Sequence, residues 1–92
     1  MSKARFRAQA EDFMLRGGFY EEAASAERGK RRVISLVLGY GEYQKAALAA
    51  LNLGDLGLVD SAKASSLRVL RAIEPLLTKR KRKKPRGRSI IT

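Results

Sequence analysis

The sequence predicts an all-α fold: a small single-domain bundle of four to five short helices followed by a flexible basic C-terminal arm. Three observations carry that reading. Apolar residues recur at helical spacing along most of residues 1–78. No two segments read as partner strands, and an isolated strand has nowhere to place its backbone hydrogen bonds. The charge is lopsided: of a net +11, the segment 79–88 supplies eight cations and no acid, leaving residues 1–78 with 12 basic and 9 acidic side chains. The chain therefore divides into a helical domain, 1–78, and a polybasic tail, 79–92.

Residues 3–16 form the first expected helix, with Phe6, Ala10, Phe13 and Met14 on one face and Lys3, Arg5, Arg7, Glu11, Asp12 and Arg16 largely off it. Gly17-Gly18 is the expected stop, since glycine readily takes the left-handed conformation that ends helices. Residues 20–28 are rich in helix formers and carry Glu21 and Glu22 in their first turn, where the helix dipole favours acids. Gly29 offers a second stop. The run Val33-Ile34-Ser35-Leu36-Val37-Leu38 is too short for periodicity to separate helix from strand. The lack of a partner strand favours helix, broken near Gly39 and Gly41.

Residues 42–53 give the clearest helix, with Tyr43, Ala46, Ala47, Ala50 and Leu51 on one face and Gly54 ending it. Residues 55–59 read as a loop, and Asp60 or Ser61 as the N-cap of a further helix. That helix carries Ala62, Ser66, Val69, Leu70, Ile73 and Leu77 on one stripe. Pro75 is expected to end or kink it, because proline removes one backbone bond and clashes with the preceding turn. Beyond it, like charges at this density favour an extended, solvated chain, and Pro85 and Gly87 reinforce that.

Composition excludes several classes. The chain has no Cys and no His, which removes disulfides, thiolate chemistry and the common zinc and iron–sulfur sites, so no metal or cofactor is expected. The basic N-terminus has no apolar h-region behind it, and no stretch approaches the roughly 20 apolar residues that span a bilayer. Catalysis is disfavoured: the usual general base and the Ser–His or Cys–His pairs are missing. Glu11, Asp12, Glu21, Glu22 and Glu27 read as solvated helical faces. Gly39-Tyr40-Gly41 lacks the Lys and Ser/Thr of a phosphate loop and the full spacing of a dinucleotide loop.

The binding candidates are the cations. Lys79, Arg80, Lys81, Arg82, Lys83, Lys84, Arg86 and Arg88 form a cluster that binds polyanions through counterion release. A solubilising tail and a nuclear-import signal are the plainer alternatives. A membrane role is weakened because no aromatic or aliphatic side chain interleaves the arm. Arg28, Lys30, Arg31 and Arg32 form a second cluster, poorly placed for a helix start because cations oppose the dipole there.

Lys63, Arg68 and Arg71, with Ser61 and Ser65, line the polar side of the last helix. They would serve a recognition helix, but the seven residues from Gly54 to Asp60 exceed a helix-turn-helix connection. An ordinary αα-hairpin is favoured. Phe6, Phe13 and Phe19 read as core, which leaves Tyr20, Tyr40 and Tyr43 as the aromatics available for base stacking. The small body, its Ala-rich helix and the leucines at 53, 56, 58 and 67 suit a homodimer or a docking surface.

The expected function is non-enzymatic nucleic-acid binding, DNA before RNA, in the cytoplasm or nucleoid (or nucleus). The alternative is a helical protein-interaction module, an assembly factor or inhibitor of phage or plasmid type. It would dock on a protein or nucleoprotein partner.

Overall fold

The computed structural model describes residues 3–89, with side chains described for residues 3–77. It is all-helical, with three helices in place of the four to five expected: α1 (Lys3–Ser25), α2 (Gly29–Leu53) and α3 (Leu56–Ser89). Both α1 and α3 pack along α2, which is the central element. Ala10 shares a cluster with Ala49 and Ala50, and Ala24 with Leu36, so α1 runs antiparallel to α2. Leu58 and Val59 join the first of these clusters and Ile73 the second, so α3 is antiparallel to α2 as well.

The helix count falls because glycines expected to break helices instead let helices meet. α1 continues through Gly17-Gly18. Gly17 is buried under the Tyr43 ring, where an added Cβ would lie 2.5 Å from Cε1. Across the same contact, a Cβ at Gly39 would come within 3.2 Å of the Tyr20 Cβ and 3.3 Å of the Gly17 carbonyl oxygen. α2 likewise passes unbroken through Gly39 and Gly41, and the 33–38 run is helical. Tertiary packing has overridden local propensity at Gly17 and Gly39, whereas an added Cβ at Gly41 would meet nothing within 4 Å.

Gly54 does end α2. It takes φ 84°, and its N–H donates to the Ala50 and Leu51 carbonyls, while the Asp55 N–H donates to Ala50. That closes the helix with a left-handed cap. The residues 55–59 are not a loop, and neither Asp60 nor Ser61 is the cap. Asp55 is the cap: its Oδ1 accepts the Leu58 N–H at 3.1 Å, and α3 begins at Leu56. The connection is the two residues Gly54-Asp55, which is hairpin length.

α3 neither ends nor restarts at Pro75, and its helical backbone extends to Ser89, over the segment expected to be extended. Ile73 and Leu76 anchor it to the core on either side of Pro75. Beyond them, Lys and Arg are themselves good helix formers.

The core is built largely of small residues: Ala10, Ala24, Ala46, Ala49, Ala50 and Ala62 are buried beside Leu36, Tyr43, Leu53, Val69 and Ile73. Phe6, Phe13 and Phe19, expected in the core, lie outside it: the first two are half-buried and Phe19 is 64% exposed. With no break at Gly17-Gly18, the helical register carries it to the outer side of α1. Leu51 and Leu77, expected on buried stripes, are also exposed. Among the described residues, no helix is long and apolar enough to cross a membrane.

Candidate nucleic-acid interface

The antiparallel topology brings the two basic segments to one end of the molecule. α2 starts there with Gly29, Lys30, Arg31 and Arg32, and the later half of α3 returns to the same end. Leu76 of α3 lines a cleft of about 290 Å³ with Gly29, Lys30, Val33 and Ile34. Three residues after Leu76 the cationic run begins. The side chains of Lys79, Arg80, Lys81, Arg82, Lys83, Lys84, Arg86 and Arg88 lie outside those described, although their backbone belongs to α3.

Arg28, Lys30, Arg31 and Arg32 are all exposed, and none forms an ion pair with another described residue. Arg28 occupies the N-cap of α2 in an extended conformation and makes no capping hydrogen bond. The first N–H groups of α2 therefore have no side-chain acceptor among the described residues, at the positive end of the helix dipole and beside four cations. Glu27, beside the cluster, accepts the Ser35 hydroxyl hydrogen bond and forms no ion pair with the cluster among the described residues. Arg32 lines a second cleft with Glu21, Ala24, Ala72 and Pro75, between α1 and α3.

The three α3 cations separate. Lys63 and Arg71 are exposed and, among the described residues, have no ion-pair partner. Arg68 is committed to the fold: its Nε donates to Glu21 Oε2 at 2.8 Å, and a second guanidinium nitrogen donates to Oε1 at 2.9 Å. The same carboxylate accepts the Tyr43 hydroxyl at 2.7 Å. Glu21 thus ties α1 to both other helices. Arg68 is the leading cause that lowers its pKa, working against partial burial. Burial first, and then the Glu21 hydrogen bond, pushes the Tyr43 hydroxyl up to about 12.

This trio corrects two expectations. Glu21 is not part of a solvated face, and Tyr43, only 3% exposed, is not available for stacking. Tyr20 and Tyr40 are half-buried, and Ser65 is buried. Glu11, Asp12 and Glu22 are exposed as expected, and Asp12 pairs with Arg16 one turn away. No signal in the sequence pairs Glu21 with Arg68 across 47 positions.

Among the described residues, no group of three His, Cys, Asp or Glu could hold a metal ion. Compared with known proteins, the chain matches no family model, no curated protein and no solved structure.

Proposed function

We propose that this protein is a non-enzymatic nucleic-acid-binding protein that grips the phosphate backbone at one end of its bundle. The single observation carrying this is the convergence of Arg28, Lys30, Arg31 and Arg32, around an uncapped helix start, on the stretch of α3 that leads into the 79–88 run. A helix N-terminus flanked by cations is a strained arrangement until an anion arrives, and phosphate satisfies both the open N–H groups and the charge. The run in 79–88 adds sequence-independent affinity. Lys63 and Arg71 extend the same reading along α3, with DNA placed before RNA. Arg68 is left out of the grip, because Glu21 already holds its guanidinium.

The test is fluorescence anisotropy with labelled duplex DNA, single-stranded DNA and RNA, comparing the wild-type chain with an R28Q/K30Q/R31Q/R32Q variant. The reading predicts binding at near-physiological salt and at least a tenfold loss in the variant. Failure of the wild-type chain to bind any of the three contradicts it and moves the search to a protein partner.

A further inference from the structure

We infer that a second copy of this chain docks on the outer face of α2, in an antiparallel helix pair. That face is left uncovered by α1 and α3 and borders α3, where Ile34 reaches the cleft beside Leu76 and the Gln44 amide donates to the Ser66 hydroxyl at 3.1 Å. It exposes Ile34 (56%), Val37 (50%), Leu38 (45%), Leu48 (62%) and Leu51 (57%). Four of the five follow a heptad and Leu38 flanks it: Ile34, Gly41 and Leu48 repeat every seven residues, and Val37, Gln44 and Leu51 form the companion row. A seven-residue repeat with two apolar rows is the pattern of a coiled-coil seam.

The seam matches itself. With a two-fold axis between Glu42 and Tyr43, Ile34 faces Leu51 of the second copy, Val37 faces its Leu48 and Gly41 faces its Gln44, so the large apolar seam residues meet one another and the one polar pair falls at the glycine. An isologous interface demands that self-complementarity, which no foreign partner would require. Five side chains exposing on the order of 100 Å² each give about 1,000 Å² between two copies, the size at which a specific interface begins.

Two further details fit a second copy. Gly41 stands in the middle of the seam, where glycine is a poor helix former, and an added Cβ there would meet nothing within 4 Å in its own chain. Its own chain gives no packing reason for a glycine; close approach of another helix does. The seam is also nearly free of charge in a chain carrying +11. Its one cation, Lys45, is drawn aside, with its ammonium 3.7 Å from Glu42 and 5.5 Å from the centre of the Phe13 ring. The leucines at 53 and 58 take no part, being buried and half-buried.

Sedimentation velocity without nucleic acid tests this separately from the binding reading. The wild-type chain at tens of micromolar should sediment at about twice its 10.2 kDa chain mass. L48E should return it to monomer with its helical circular dichroism intact, and L67E, on α3, should leave the dimer unchanged. Because the chain contains no cysteine, register can be read directly. Mild oxidation of an equimolar mixture of V37C and L48C chains should give a cross-linked dimer, and V37C alone should not. A monomeric wild-type chain, a dimer that survives L48E, or cross-linking of V37C alone would each overturn the inference.

Discussion

Glu21 is where one side chain does most for the fold, because it accepts from Tyr43 and Arg68 at once. E21Q should destabilise the chain by about 1–2 kcal/mol, since it replaces charge-assisted bonds and leaves the Tyr43 hydroxyl with a weaker partner. The Glu21 pKa is lowered on folding. Its contribution is therefore present above the ordinary glutamate value and is lost as pH falls through the lower folded value. Urea unfolding of wild type and E21Q should show the full gap at neutral pH and its closure in acid. A gap independent of pH would mean that packing, not ionisation, is what Glu21 supplies. The glycines make a second contrast at this scale. G17A forces a Cβ against the Tyr43 ring and should cost about 1–3 kcal/mol. G41A, measured in the L48E background, meets nothing in its own chain and should gain about 0.5–1 kcal/mol. Thermal melts of the two variants should move in opposite directions.

Helices were legible in the sequence, and their joins were not. The apolar spacing around Ala10, Tyr43, Ala50, Val69 and Ile73 identified faces that are indeed buried, because that periodicity reflects burial itself. Gly54 was legible as a stop because nothing packs there and its φ is positive. Gly17 and Gly39 were misread as stops because their role is close approach to Tyr43 and Tyr20, a tertiary fact that local propensity does not contain. The sequence favours Asp60 over Asp55 as the cap, since Leu56-Gly57-Leu58 lacks the look of a helix start although Asp55 caps it. D55A should therefore cost about 1 kcal/mol through the lost cap, read as a lowered urea midpoint. D60A, in the exposed first turns of α3, should leave it within experimental error. Equal effects of the two would put the cap elsewhere.

At the scale of the whole molecule, the polycationic run is plain in the sequence, but that the helix leading into it passes Gly29 and Lys30 at Leu76 depends on the antiparallel return of α3. Arg68 shows the opposite case: composition grouped it with the binding cations, and the fold assigns it to Glu21. The proposed dimer adds a length scale. At 1.5 Å per residue from the two-fold axis, the two 30–32 segments lie about 35 Å apart, near one turn of duplex DNA. Affinity should therefore rise sharply once duplex length passes about one turn (~10 base pairs), checked by anisotropy over a length series. A smooth rise with length would indicate that each chain binds alone. The most direct test of phosphate gripping at the basic end is the salt dependence of duplex binding. It would compare the full chain with one ending at Thr78. Each phosphate contact contributes about 0.9 to the slope of log K against log salt. A steep slope that flattens by several units on truncation, with residual binding that disappears in R28Q/K30Q/R31Q/R32Q, is the predicted result. A slope unchanged by truncation would contradict it.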